Sequence, residues 1–508
     1  MNARLAVSRR TLLIGAVASV AAPWVVRGVR PAWADTAPAI GEAAWEKLGR
    51  QITGGVMRPN DPRFYILTKP ENLRYYHPQI EADDPPDPDA PFGVVRPRHA
   101  GEVAAAILWA RENNCPVVAR SGGHSYAGCS TVPGLVVHGG AMRQVRYDAK
   151  TGLLEMGGGV LNEDVFNALK QTDRAIVHGR CLAVGISAFL MGGGIGLAMR
   201  EHGVGCDLVR AVELVLADGR KVVATVSNEY KDLFWAVRGG GGGNLGFATR
   251  WWLQTVSGGK SVAFVAHWGA EGATKPVFER LVRALEESPE QMGAQMSLAA
   301  TSRNGPWPNG IDLIGQFHGS RSRFDRIFGA ALEGSSHRIA ELPYWQAQEF
   351  FEIEAAPNRY QETSIFADEV NDACIEEAFA ILRDFPRPGQ GARARLTFFL
   401  TGGKINKTRP DATAFVHRSS QWLINPILEW DEFADVGEHL RWQRQAMTRF
   451  GKLLGGTQSY QNFPDPELDG HEHAYWGGNL ARLSRIKARV DPTRVFTPPR
   501  NQGIPFAP

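Results

Sequence analysis

The chain has 508 residues, 44% of them hydrophobic and 21% charged, with a formal net charge of +3. That length exceeds one ordinary hydrophobic core and asks for two parts or one large composite. No internal run of about 18 apolar residues marks a membrane anchor, and the near-balanced charge excludes the basic field that holds nucleic acid.

The first residues stand apart. Ser8-Arg9-Arg10-Thr11-Leu12-Leu13 leads an apolar stretch to Ala22, and Ala32-Trp33-Ala34 has the small-x-small form of a cleavage site. This resembles a twin-arginine export signal over 1–34, cut after Ala34, so the export machinery is an expected partner and the periplasm or exterior the expected location. Its loss removes five arginines and no acidic residue, taking the net charge to about −2. Five cysteines are an odd number for an exported chain, so at least one is not in an internal pair. No Cys/His group has zinc spacing, and His471-Glu472-His473 suggests a solvated turn, so no metal is expected.

A helix over Glu42 to Gln51 opens a connector, 35–89, that ends in the polar, proline-rich Asp83 to Asp89. Val103, Ala106, Ile107 and Ala110 mark one face of the next helix. Val117 to Ala119 is a strand entering the glycine pair of Arg120-Ser121-Gly122-Gly123-His124-Ser125-Tyr126, where backbone amides can approach a ligand closely. Strands Leu135 to His138 and Leu153 to Met156 follow, then a helix from Asn162 to Gln171. Next come Gly179-Arg180-Cys181-Leu182-Ala183-Val184-Gly185 and the run Gly192 to Gly196. Val212 to Val223 is a hairpin about Asp218-Gly219.

Gly241, Gly243 and Gly246 satisfy G-x-G-x-x-G. A dinucleotide fingerprint must open a helix, however, and Phe247 to Leu253 has the pattern of a strand. Three separate glycine loops fit a long ligand lying along several backbone segments. After Gly258-Gly259 the chain changes to helices, such as Lys275 to Leu285 and Ile375 to Leu382, alternating with apolar strands, such as Ile311 to Phe317 and Arg395 to Leu400. Trp422, Trp430 and Trp442 gather there, consistent with core or with the floor of a pocket. The tail, from Tyr460-Gln461-Asn462 through Asn479 to Asp491-Pro492-Thr493-Arg494-Val495-Phe496, is expected to fold back on the first part. The alternation gives an α+β fold with a first part over 90–258, a second over 259–455 and a returning segment over 456–508.

Together the His124 turn, the Cys181 segment, the 192–196 glycines, Asp232-Leu233-Phe234-Trp235-Ala236-Val237-Arg238-Gly239 and the tail resemble the berberine bridge enzyme-like branch of the FAD-linked oxidases, a group that includes vanillyl-alcohol oxidase and p-cresol methylhydroxylase. The resemblance implies a two-part FAD-binding domain of the p-cresol methylhydroxylase type and a substrate domain whose antiparallel sheet is backed by helices. It implies bicovalent FAD, with His124 on the 8α-methyl and Cys181 on C6 of the ring, both side chains being nucleophiles. Arg120, Ser121, Gly122, Gly123, Ser125, Val184, Gly185, Gly193, Gly194 and Gly196 would line the cofactor, with Asn462 and Asn479 near its flavin end. Val184 matches a position where valine accompanies oxidases and leucine dehydrogenases, so dioxygen is the expected electron acceptor.

For catalysis, the resemblance turns Tyr126 toward the small-molecule substrate. Many relatives place a Glu or Gln where Asn425 stands in Ile424-Asn425-Pro426-Ile427-Leu428-Glu429-Trp430, but asparagine cannot take a proton, and Pro426 is unusual inside a strand. Tyr460 is the substitute base, provided its pKa falls from about 10. The expected reaction is oxidation of an alcohol on an oligosaccharide or a glycosylated or aromatic metabolite, with hydride passing to flavin N5 and reoxidation by dioxygen to hydrogen peroxide. Competing readings are a natural-product oxidase that closes a ring by C–H oxidation, a flavin-dependent dehydrogenase, and a flavin-bearing binder with little turnover.

Overall fold

A computed structural model describes residues 40–76, 89–301, 308–351, 358–386, 391–432 and 434–506. The expected export signal over 1–34 and residues 35–39 and 77–88 of the connector lie outside these residues. No helix among the described residues is long and apolar enough to cross a membrane.

The first part contains two sheets. In the four-stranded one, Gly93–Val95, Leu135–His138 and Val117–Arg120 run parallel, and Val56–Met57 pairs antiparallel at the edge. The apolar face predicted for the first crossover helix, Ala100–Glu112, packs on Val95, Leu135 and Val137, as the β–helix–β pattern requires. The second sheet is antiparallel, in the order Val145–Asp148, Leu153–Gly157, Phe247–Gln254, Val209–Val215 and Lys221–Thr225. It contains the predicted Asp-Gly hairpin, and Phe247–Gln254 is a strand, as the rejection of a dinucleotide loop required.

After Gly258-Gly259 the chain builds a large antiparallel sheet. Its order is Ser336–Pro343, Lys260–Gly269, Gly310–His318, Met292–Ala300, Arg393–Leu400, Trp422–Trp430 and Arg359–Glu362, with Ile365–Ala367 also on Trp422–Trp430. Lys275–Glu286, Asp372–Arg383 and Gly437–Leu454 bury their apolar stripes on one face of it, against Met296, Leu298, Phe398 and Ile424. The opposite face carries Leu423 and Phe399, which pack with the core of the first part.

Pro426 proves compatible with an interior position of Trp422–Trp430. Opposite it the neighbouring strand is interrupted between Arg359–Glu362 and Ile365–Ala367. A residue that has no N–H to donate thus falls where the ladder is already open. The side chain of Asn425 fills part of the gap, donating to the Thr363 carbonyl at 2.7 Å.

Candidate functional site

A cavity of about 340 Å³ opens between the first part and the large sheet. The two motif loops form one end of it. They touch backbone to backbone: a Cβ at Gly122 would stand 2.5 Å from the Ala183 carbonyl oxygen, and one at Gly185 would stand 2.5 Å from the Gly122 nitrogen. Asn162 fixes the second loop by donating to the carbonyls of Gly179 at 3.1 Å and Cys181 at 2.8 Å. Fifty-seven positions apart in sequence, His124 Nε2 and Cys181 Sγ meet at 3.2 Å.

Burial lowers the pKa of His124, favouring the neutral imidazole. Burial raises that of Cys181, opposed by hydrogen bonds from the Ala183 and Val184 amides and by the charge of Arg180. All five cysteines are free thiols.

Arg120, Ser121, Gly122, Gly123, Ser125, Tyr126, Val184, Gly185, Gly196 and Asn462 line the same cavity. Gly193 and Gly194 stand behind the lining, where added Cβ atoms would strike Phe415 and Phe189 at 2.5 Å. Asn479 is outside it as well: its amide donates to the Pro410 and Thr413 carbonyls, tying the C-terminal segment to a neighbouring loop. His471–Trp476 is a short helix rather than the expected turn.

Tyr460 lines the cavity, but its hydroxyl is spoken for. It accepts from the Gly194 amide at 3.0 Å, the Ile195 amide at 3.2 Å and Asn462 Nδ2 at 3.0 Å. These bonds favour the phenolate, yet complete burial outweighs them and moves the pKa upward, not downward as a tyrosinate base needs.

Register across the large sheet identifies another group, which the sequence reading missed. Gln295 lies opposite Phe399, Phe399 opposite Leu423, and Thr397 opposite Asn425. Residues opposite one another share a face, so Asn425 is on the face whose Gln295 and Phe399 line the cavity. Glu362, opposite Ile427 on the edge strand, is on that face too.

The Glu362 carboxyl is buried and hydrogen-bonded to Asn425, and burial lifts its pKa to about 8. Tyr126 connects this edge to the motif loops. Its ring stands 5.6 Å from His124, 5.4 Å from Tyr360 and 5.6 Å from Phe463. Asn72 clamps the arrangement by donating to the Tyr126 carbonyl at 2.6 Å and the Tyr360 carbonyl at 2.8 Å. Glu362 and Asn425 themselves sit behind the cavity lining rather than in it.

A separate cluster, Glu201, His202 and His318, brings three side chains of metal-ligating type within 4.8 Å of one another. Sequence spacing gave no sign of it because its members come from a short helix and a distant strand. His318 Nδ1 is hydrogen-bonded to Glu201.

The cavity has the features that the flavin implied by the motifs would need. Backbone lines it at Gly122 and Gly185, space is open beside Gly242, and the nearest atom to an added Cβ there is 3.5 Å away. The buried Gln461 Oε1 on its wall has no hydrogen-bond partner among the described residues. An apolar slot with such an acceptor and two nucleophiles at one end fits a flavin and its ribityl chain. These features define a flavin-binding protein.

Residues 91–225 match the family described as FAD binding domain, and residues 459–505 the one described as berberine and berberine like. An FAD-linked oxidoreductase of Bacillus subtilis, YvdP, is 28% identical over 464 residues, covering 90% of this chain and 98% of that protein. The chitooligosaccharide oxidase of Gibberella zeae is 25% identical over 447 residues, covering 82% and 87%. Among solved structures, the carbohydrate oxidase of Microdochium nivale with a substrate analogue superposes with a TM-score of 0.79 at 23% identity, covering 92% of this chain and all of that one. The chain is an FAD-linked oxidoreductase that carries matches to both the FAD-binding and the berberine-like domain and resembles the berberine bridge enzyme-like oxidases.

Proposed function

We propose that the protein is an exported oxidase that holds FAD through two covalent bonds, from His124 to the 8α-methyl and from Cys181 to C6, and that oxidises an alcohol on an oligosaccharide or related metabolite. The observation carrying this reading is the 3.2 Å approach of His124 Nε2 to Cys181 Sγ at the end of a glycine-lined cavity. Relatives named as chitooligosaccharide, glucooligosaccharide and carbohydrate oxidases support the substrate class, and the twin-arginine and Ala-x-Ala signals in 1–34 support export.

In this reading 90–258 and 456–508 hold the cofactor, and 259–455 carries the substrate floor. Bound FAD supplies the two-electron acceptor and, through dioxygen, the route to hydrogen peroxide. The chain supplies position and proton transfer. Gly196, Asn462 and the 121–125 backbone shape the slot, and Val184 stands beside it.

Glu362 is the proton acceptor, working through Tyr126, which lies within its electrostatic reach. A carboxyl with a pKa of about 8 is a strong base once ionised, so it accepts a proton best at and above that pH. Asn425 holds it by a hydrogen bond, and Tyr460 pins the Gly194–Ile195 backbone instead of taking the proton.

Hydrogen peroxide release from a panel of oligosaccharides and other alcohols tests the activity, and the intact mass of the purified mature protein tests the tether and the Ala34 cut. The reading fails if no panel member reduces the flavin under anaerobic conditions.

A further inference from the structure

A second cavity, of about 170 Å³, adjoins the first and is lined by Phe166, His178, Trp345, Gln348 and Glu349, among others. Arg180, next to Cys181 in sequence, is the one residue lining both. Its Nη1 is sealed from solvent and has no hydrogen-bond partner among the described residues. It enters no ion pair among the described residues, and burial disfavours its charge, opposed by Tyr126 and Cys181. No Asp or Glu among the described residues lines the larger cavity, and Glu349, in the smaller one, is exposed and forms no ion pair with Arg180 among the described residues.

A guanidinium stays charged in proteins and presents a planar fork of donors, so the sealed Nη1 of this half-buried side chain is costly unless a ligand supplies the anion. The flavin diphosphate would be a poor supplier. If His124 and Cys181 mark the dimethylbenzene edge of the ring, the diphosphate lies beyond the ribityl chain. Beside Arg180, Trp345 stacks on His178 at 5.1 Å and meets Phe166 edge-on at 5.7 Å. These aromatic surfaces suit a sugar ring.

We propose that Arg180 binds a carboxylate of the substrate, so that this protein acts on acidic alcohols, of which uronic-acid-bearing oligosaccharides are the fitting kind. The inference rests on the alcohol-oxidase reading. Planar carboxylate matches the guanidinium fork in a bidentate pair, and the smaller cavity houses the neighbouring ring.

The test uses FAD-loaded wild type, Arg180→Gln and Arg180→Lys, with three matched arms: a neutral oligosaccharide, its uronic-acid counterpart and its phosphorylated counterpart. For each, kcat/KM is measured, together with equilibrium binding read from the flavin absorbance. In wild type the uronic arm should exceed the neutral arm. In Arg180→Gln the ratio of uronic to neutral kcat/KM should fall about 10- to 100-fold, as loss of a charged hydrogen-bonded pair implies, with Arg180→Lys recovering part of it.

Equal loss in both arms, or loss of bound FAD in Arg180→Gln, would overturn the proposal and assign the residue to the cofactor. Phosphate binding as tight as uronate binding would overturn the carboxylate assignment. Uronate binding that depends on Arg180 without oxidation of any arm would uphold the anion site and refute the oxidase reading. Oxidation of the neutral arm without uronate preference would do the reverse.

Discussion

The two walls of the cavity are built on different principles. The motif-loop wall is set by close backbone approach, with Gly122 and Gly185 in positions that admit no Cβ. The sheet wall is set by register: which side chains face the cavity follows from the strand pairing that puts Gln295, Phe399 and Leu423 in one row and Thr397 and Asn425 in the next. The first wall tolerates almost no added atom but places its reactive groups through short local segments. The second tolerates exchange of side chains, and a functional group can move to a neighbouring strand if it stays on the same face. Glu362 beside Asn425 illustrates this: the carboxyl stands one strand over from the position where the motif led one to look.

That contrast can be broken experimentally. The largest effect is expected from His124→Ala combined with Cys181→Ala: colour that stays with denatured wild type should separate completely, as gel fluorescence and intact mass would report. Next, Glu362→Gln should lower the rate of flavin reduction by about 10²- to 10⁴-fold, the usual worth of a general base. In wild type that rate should climb with pH to a plateau above about 8, where the carboxylate predominates, and the climb should vanish in the variant.

The same group affects stability. Its folded pKa, about 8, lies above the unfolded value near 4.5, so its contribution is full at low pH and is lost as pH rises through about 8. Glu362→Gln should therefore flatten the fall in melting temperature between about pH 4.5 and about pH 8.

On the loop wall, Gly185→Ala should cost about 1–3 kcal/mol by overpacking, along with poorer flavin loading, measured by denaturant unfolding and absorbance. Smaller still, Tyr460→Phe leaves the Gly194 and Ile195 amides without their acceptor and should destabilise by about 1–2 kcal/mol. It should slow flavin reduction far less than Glu362→Gln. A larger kinetic loss from Tyr460→Phe would return the base to the tyrosine.

Loops were more legible in the sequence than the sheet. Paired glycines beside a histidine or cysteine announce themselves because backbone approach requires that residue type, and the Asp-Gly hairpin did the same. The face of the helix at Ala100–Glu112 was visible in its periodicity. Glu362 was not, since Arg359–Glu362 is only four residues long and its orientation is decided by pairing with a segment more than sixty positions away. The upward pKa of Tyr460 was hidden for a related reason: burial comes from tertiary packing, which no local motif encodes. Asn479 shared the motif-rich tail with Asn462, yet a few carbonyls of a neighbouring loop claimed its amide.

The interruption opposite Pro426 has a consequence for association. It splits the rim of the large sheet into pieces of four and three residues, and the Asn72 side chain already occupies backbone at Tyr360. A foreign strand finds no continuous row of amides and carbonyls to extend there, so the flank nearest the buried carboxylate is protected from edge-to-edge polymerisation.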